Sequence, residues 1–389
     1  LTKTLLITND YPPVISGIST VFYQVWKRLE TEEHPVLTLR VKGGKEFDRG
    51  KPVKVCRHWA VGSGEIIGKL STAVVQLFCA AYFIIFNRVK KIHAGQIWIS
   101  GTIGYLCKQF LGKPYILWVY GGETTPVYMK GRFSAFWAKT LLNNAEKLVT
   151  NSKFCQKEFL DYGFSESKCP IILPATDPDF FTPGKPPDGL VRKWNAEGDI
   201  ILLTVARVSE RKGHDLVIRS LPKILRRHPQ VKYLIVGKGP DTERLKKLSV
   251  DLGVGDKVVF CGFVPDEELP DYYRLCDLYV MPNREVFDST DSIEGFGISF
   301  IEASACGKPV IGGRSGGAVE AIAEGESGFL VLSEAVEEFT EAVCKLIEDK
   351  DLRKKMGRLG RLRVEKEMDW RTRGVTVVEI EKSIAKGGR

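Results

Sequence analysis

The 389 residues suffice for two α/β domains with cores of their own, and 43% apolar against 27% charged residues excludes the disordered, fibrous and disulfide-stapled classes. Nine cysteines stand singly, with no Cys-x-x-Cys pair, so neither a zinc site nor a disulfide framework is expected and a reducing cytoplasm is the natural compartment. The net charge of +9 is unevenly shared: residues 1–173 hold 23 Lys and Arg against 12 Asp and Glu, a net of +11, and residues 174–389 hold 34 against 36, so an anionic acceptor or surface belongs with the first half unless that charge serves solubility alone.

Thr4–Thr8 reads as a buried strand, Asn9-Asp10-Tyr11-Pro12-Pro13 stops it, and Gly17 opens a helix to about Arg28. The turn lacks the G-x-G-x-x-G run of dinucleotide binders, which argues against a dehydrogenase. Capping the turn at Tyr11-Pro12 is the simplest use of Asp10. Strands follow at Val36–Val41 and Val53–Arg57, then a polar loop from His58 to Gly64. Leu70–Phe86 is an apolar block with Lys69 at one end and Arg88-Val89-Lys90-Lys91 at the other. It falls short of the roughly 20 residues a membrane span needs. A helix buried in the first domain is expected, with an interfacial helix as the sharper alternative. Further strands are expected at Gln96–Ser100, Tyr115–Tyr120, Lys147–Ser152 and Ile171–Leu173, the second of them running into Gly121-Gly122-Glu123.

Prolines and glycine between Pro174 and Gly184 mark a linker, so the first domain is expected at 1–174 and the second at 187–365, with 366–389 as a helical tail. The second domain restarts at Ile200–Val205, whose loop runs Arg207-Val208-Ser209-Glu210-Arg211-Lys212-Gly213 into a helix carrying Leu216, Ile218, Leu221 and Ile224. Strand and glycine alternate again at Tyr233–Val236 with Gly237, and at Lys257–Cys261 with Gly262-Phe263-Val264. Repeated strand, glycine turn and helix units predict a second doubly wound α/β domain.

The densest signal lies between Asp291 and Gly317, DSIEGFGISFIEASACGKPVIGGRSGG. Strand Leu278–Met281 precedes it, Glu294 stands on a Gly-Phe-Gly turn, Glu302 lies inside the helix that follows, and Lys308–Gly312 is the next strand. The two glutamates are about two helical turns apart and share a face, while the free N–H groups of the helix start point at an anion. Such a unit suits a ligand with hydroxyls at two places and phosphate between them. Solvated helix charges and ordinary turn glycines would account for the same residues taken singly.

That run, with the Arg207–Gly213 loop, resembles the family-4 type of retaining glycosyltransferases of GT-B fold, and within them the bacterial group 1 enzymes such as mannosyltransferases with lipid acceptors. The resemblance implies two Rossmann-like domains facing each other across a cleft, acceptor on the first and nucleotide-sugar donor on the second, with the tail helix crossing back to the first. It implies that Arg207 and Lys212 grip the diphosphate, that Glu302 accepts from the ribose diol and that Glu294 accepts from hydroxyls of the transferred sugar. Backbone N–H groups of Phe296, Gly297, Ile298 and Ser299 would meet sugar and phosphates, and Gly17 and the main chain at Val264 would approach the phosphate and the base. Arg211 and Glu210 are read as surface charge beside them. Relatives usually carry a histidine where Tyr120 stands; a tyrosine can donate one hydrogen bond there but supplies no charge. Asp10 is the one candidate for a base. The implied reaction moves a hexose from GDP-mannose or a UDP-hexose to a glycan, lipid-linked or anionic acceptor, with retention, no cofactor, no metal and no nucleic acid. The protein would be cytoplasmic, with peripheral attachment to the inner face of the cytoplasmic membrane left open. A non-catalytic nucleotide-sugar binder, or an epimerase or phosphorylase on the same fold, are the alternatives.

Overall fold

A computed structural model describes residues 3–29, 34–59, 65–123, 131–286 and 293–386, the side chains of 65–70, 385 and 386 excepted. Residues 60–64, the side chain of Lys69 and the first two residues of the glutamate segment, Asp291 and Ser292, therefore lie outside the described residues. The chain divides into two compact units, Leu1–Leu173 with Trp370–Arg389, and Pro174–Asp369.

The first unit runs β1 (Thr4–Ile7), α1 (Gly17–Trp26), β2 (Val36–Leu39), α2 (Gly44–Asp48), β3 (Val55–His58), α3 (Glu65–Phe86), β4 (Lys91–Ala94), α4 (Ile99–Leu111), β5 (Tyr115–Val119), α5 (Arg132–Asn144), β6 (Lys147–Thr150) and α6 (Lys153–Asp161). Its strands pair in parallel in the order β3-β2-β1-β4-β5-β6. Strands such as TLLI and YILWV are buried throughout and almost wholly apolar because helices cover both faces of a parallel sheet. The order reverses between β1 and β4, which opens a crevice at their C-terminal ends.

Two sequence expectations are corrected here. The strand expected at Gln96–Ser100 is instead β4, Lys91–Ala94, which pairs with β1 in register Leu5 to Ile92. Its KIHA sequence hides a buried strand behind a lysine and a histidine. Both are satisfied from the far end of the chain, where Glu381 accepts the Lys91 amine on its backbone carbonyl and places a carboxylate oxygen 2.9 Å from His93 Nε2. Ile171–Leu173 forms only an isolated bridge, Ile171 to Thr150.

The second unit runs α7 (Asp188–Lys193), β7 (Ile200–Val205), α8 (His214–Arg227), β8 (Val231–Val236), α9 (Thr242–Asp251), β9 (Val258–Gly262), α10 (Leu269–Leu275), β10 (Leu278–Met281), α11 (Ile298–Ala305), β11 (Val310–Gly313), α12 (Ala318–Ala321), β12 (Gly328–Val331), α13 (Val336–Glu348) and α14 (Lys350–Glu367). The parallel order is β12-β11-β10-β7-β8-β9, the same topology as the first sheet, with its reversal between β7 and β10. Leu216, Val217, Ile218, Leu221 and Ile224 of α8 enter a core with Tyr233, Ile235, Phe339 and Val343. The stretches by which the chain enters and leaves this unit pair side by side, Thr176 N–H donating to Met368 O at 2.9 Å. The last helix, α15 (Arg373–Lys386), packs on α1 in the first unit.

Candidate active site

In the second unit the candidate residues Arg207, Lys212 and Glu294 follow the C-terminal ends of β7 and β10, beside the point where the strand order reverses. After β7 the chain stays against β8's loop, Ala206 N–H donating to Val236 O at 3.0 Å and Val208 N–H to Lys238 O at 3.1 Å. That pairing buries Val208 and leaves Arg207 on the exposed side of the same loop. A 3₁₀ turn, Glu210–Lys212, then closes on Gly213 at φ 72°. A Cβ at Gly213 would stand 1.9 Å from the carbonyl oxygen of Pro282, so only glycine lets this loop cross the segment that leaves β10. Arg284 N–H donates to Arg211 O at 2.8 Å and fixes the crossing.

The turn aims two cations at one carboxylate. Arg211 Nη1 lies 2.7 Å from Glu294 Oε2, and the Lys212 ammonium donates to the same oxygen. Glu294 is 8% exposed. Burial alone would push its carboxyl up; the charges of Lys212 and then Arg211, with their hydrogen bonds, outweigh that and hold it at about 2. Arg211 is thus no solvated surface charge, contrary to the sequence reading. Neighbours in a 3₁₀ turn point about a third of a turn apart, so consecutive residues can converge on one target from either side.

Glycines after β11 hold the Glu294 backbone. Gly317 N–H donates to Glu294 O at 2.7 Å. Cβ atoms at Gly316 and Gly317 would come within 2.4 Å of Glu294 O and 2.0 Å of Gly295 O. Asn283, which the sequence reading missed, accepts from Gly313 N–H at 3.1 Å and donates to Ser315 O at 3.0 Å, joining the loops after β10 and β11. Phe296 is buried, and Gly297 at φ 89° leads into α11, so the first N–H groups of that helix, those of Ile298 and Ser299, lie beside Glu294 in the chain. The Ser299 hydroxyl is engaged by Tyr279 at 2.6 Å.

Glu302 lies on α11 and accepts from the Tyr273 hydroxyl at 2.7 Å. Burial pushes its carboxyl up to about 7, and the Tyr273 bond offsets only part of that. Near neutral pH Glu294 is therefore firmly ionised and Glu302 poised to titrate. Environments that separate two carboxyl groups in this way recur at functional sites. Val264 follows β9 at the sheet's edge with its side chain buried, on the far side of β8 from the glutamates.

In the first unit, Asp10 and Tyr120 stand at the ends of β1 and β5. Gln96 holds the Asp10 side: its amide donates to Asp10 Oδ2 at 3.0 Å and to Thr8 Oγ1 at 3.1 Å, while its oxygen accepts from Asn9 N–H at 3.2 Å and from the Ser100 hydroxyl at 3.1 Å. Burial raises the Asp10 carboxyl, and the Gln96 bond partly counters it. The Tyr120 hydroxyl is enclosed and lacks a hydrogen-bond partner among the described residues. Burial, then the charges of Asp10 and Glu123, push it well above the usual phenol range, so it stays a neutral phenol with a proton to donate. Glu123 accepts the N–H groups of Tyr120 and Gly121 at 2.7 Å each, while burial and the neighbouring Glu158 push it up to about 7. Gly17 is the first residue of α1, whose start is capped by Ser16 accepting from Ser19 N–H at 3.0 Å.

Comparison with known proteins bears on both units. The family profile "Glycosyl transferases group 1" matches residues 190–363. A GDP-mannose-dependent alpha-(1-6)-phosphatidylinositol monomannoside mannosyltransferase of Mycolicibacterium smegmatis is 30% identical over 97% of this chain and 97% of its own. A D-inositol 3-phosphate glycosyltransferase of Corynebacterium jeikeium is 28% identical over 74% of this chain and 70% of its own. Among solved structures, Anabaena HepE in complex with UDP-glucose superposes with a TM-score of 0.82 at 20% identity, over 98% of this chain and 100% of that one. Sucrose-phosphate synthase from Thermosynechococcus elongatus gives 0.81 at 20% identity over 100% of each. At such identity these two establish the architecture, the two-sheet GT-B fold.

Proposed function

The chain belongs to the glycosyl transferases group 1 family, and from that membership we propose that it transfers a hexose, with mannose from GDP-mannose as the first choice, to a lipid-linked acceptor. The observation that carries the reading is the convergence of Lys212 and Arg211 on Glu294 at the start of α11, with Arg207 on the same loop. A donor diphosphate would take its place among these cations and the N–H groups of α11, Glu294 would turn to hydroxyls of the sugar, and Glu302 would hold the ribose diol. Cleavage leaves an extra negative charge on the β-phosphate oxygen, and fixed cations there bind the transition state more tightly than the ground state.

The reaction retains configuration. The acceptor oxygen forms its bond to the anomeric carbon on the face that the phosphate leaves, the electron pair of the broken bond stays on the phosphate oxygen, and that oxygen takes the acceptor's proton. Asp10 and the neutral Tyr120 donor would orient the acceptor or sugar rather than carry charge. Positively charged side chains do the work a metal would do, so no metal is needed. The protein acts in the cytoplasm, with its acceptor presented at a membrane.

The test is a thermal-shift panel of GDP, UDP and ADP, followed by transfer assays with and without chelator. One nucleotide should stabilise by about 2.7 kcal/mol at a hundred times its dissociation constant. Product with inverted anomeric configuration, or activity abolished by chelator, would overturn the mechanism.

A further inference from the structure

Strand order β3-β2-β1-β4-β5-β6 with right-handed crossovers sends α3, α4 and α5 to one face of the first sheet and α1 and α2 to the other. α3 packs beside α4, and α4 beside α5. Every exposed side chain on α3 between residues 71 and 86 is apolar or aromatic: Val74, Phe78, Tyr82, Ile85 and Phe86. Phe78 is 72% exposed and Phe86 70%, with the Tyr82 and Phe86 rings 5.0 Å apart. The spacing of three and four residues puts them on one stripe. The opposite side of α3 buries Ala80, Phe83 and Ile84 in the core, so this helix is apolar on both sides and covered on one. Phe110 on α4 and Phe133 and Phe136 on α5 are exposed as well.

Charge settles what covers this layer. Residues 71–145 hold eight Lys and Arg and a single acid, Glu123, which is buried. Arg88, Lys90, Arg132 and Lys139 are exposed. A second copy of the chain would set like charges against each other, since a two-fold contact repeats the same patch on both sides. A surface rich in negative headgroups over hydrocarbon matches both halves of the pattern. No helix among the described residues is long and apolar enough to cross a membrane, so the fitting posture is flat.

We propose that the exposed faces of α3, α4 and α5 form the surface by which this protein docks on an anionic bilayer, with α3 lying in the headgroup plane. The inference rests on the lipid-acceptor reading above and gives it a geometry. α3 begins at the end of the sheet where β1, β4 and β5 release Asp10, Gln96 and Tyr120, so a bilayer along α3 reaches the rim of that crevice.

Co-sedimentation of the full chain with vesicles tests it, using phosphatidylcholine alone or mixed with phosphatidylglycerol. The parent should bind the mixed vesicles, ignore the neutral ones and release as salt rises. Phe78→Ser with Phe86→Ser, and Arg88→Ala with Lys90→Ala, should each weaken binding by at least about tenfold, because each removes two anchoring groups. Val250→Ser, an equally exposed apolar site on α9, should bind like the parent. A nucleotide-induced thermal shift like the parent's certifies that each variant is folded, and the lysine and arginine pair tests the face even should the aromatic pair fail to fold. A parent that ignores anionic vesicles, variants that bind as it does, or a dimer that Phe78→Ser disperses would each overturn the docking face. Transfer to a lipid acceptor in detergent micelles without vesicle binding overturns the face alone. Vesicle binding lost in the variants, in a protein that glycosylates only water-soluble sugars, supports the face and removes the lipid-acceptor reading.

Discussion

Glu294 accepts two cations on one oxygen, and removing either has its own consequence. Lys212→Ala and Arg207→Ala should each cut turnover by on the order of 10²–10³, the cost of losing one preorganised group at the charge that develops. Arg211→Ala should fall between that and silence. It removes a hydrogen bond to a charged, buried acceptor but leaves Lys212 in place, a loss of about 1.5–3 kcal/mol and so roughly tenfold to a hundredfold in rate. Lys247→Ala, on the exposed face of α9, is the control and should change nothing measurable. Steady-state turnover of the four variants decides; an Arg211→Ala enzyme as active as the parent would show that the ion pair positions nothing.

Glu302 offers a pH test with a definite sign. Its carboxyl is raised to about 7, and a ribose diol donates to the ionised form, so nucleotide binding releases a proton. Affinity should be constant well above pH 7 and decline as pH falls through it, approaching tenfold per unit on the acid side. Tyr273→Phe removes the hydrogen bond that lowers this carboxyl, so the midpoint should move up. Calorimetric titration across this range checks both, and an affinity flat from the acid to the alkaline side would remove the ribose role of Glu302.

At the scale of elements, loops crossing loops account for the glycines. Gly213 and Gly253 share a left-handed backbone, φ 72° and 67°, and differ in their surroundings. A Cβ at Gly253 meets nothing within 4 Å, whereas one at Gly213 meets the Pro282 carbonyl at 1.9 Å. Gly253→Ala should cost only the backbone term, about 1–2 kcal/mol. Gly213→Ala must also push apart the loops that deliver Lys212 and Glu294, and should cost over about 3 kcal/mol along with most activity. Denaturant unfolding of the two variants separates conformational strain from close approach; equal losses would contradict the crossing.

For the molecule as a whole, the first unit is assembled from both ends of the chain. Trp370 and Val377 are buried in it, and α15 supplies Glu381 to Lys91 and His93 on the central strand β4. A fragment of residues 1–173 would leave those two polar side chains buried without their partners, at several kcal/mol each way of counting. It should fail to fold cooperatively, while residues 174–369, which hold a complete sheet and core, should melt as one unit. Circular dichroism of the two fragments tests this, and a stable, cooperative 1–173 fragment would refute it.

What is local could be read from the order of residues alone. Apolar strands ending in glycine announced two parallel α/β units, and the run from Glu294 through Glu302 to Gly317, with Arg207 and Lys212 ahead of it, marked the candidate site, because turn geometry, helix starts and spacing on one face depend on neighbours in the chain. What depends on distant partners emerged only when folding brought them together. Arg211 reads as surface charge until Glu294, 83 residues later, is brought to it. KIHA reads as loop until Glu381, 288 residues from His93, satisfies it. The two glutamates look alike in the sequence and are pulled apart in acidity, Glu294 held down by the cations beside it and Glu302 raised by burial that the Tyr273 bond only partly offsets. Whether the apolar block on α3 is covered was equally undecidable from periodicity, since a helix apolar on both sides has no face that spacing alone assigns to the core. Folding buried Phe83 and Ile84 and left Phe78 and Phe86 outside because the sheet offers each helix of that layer only one side to pack on.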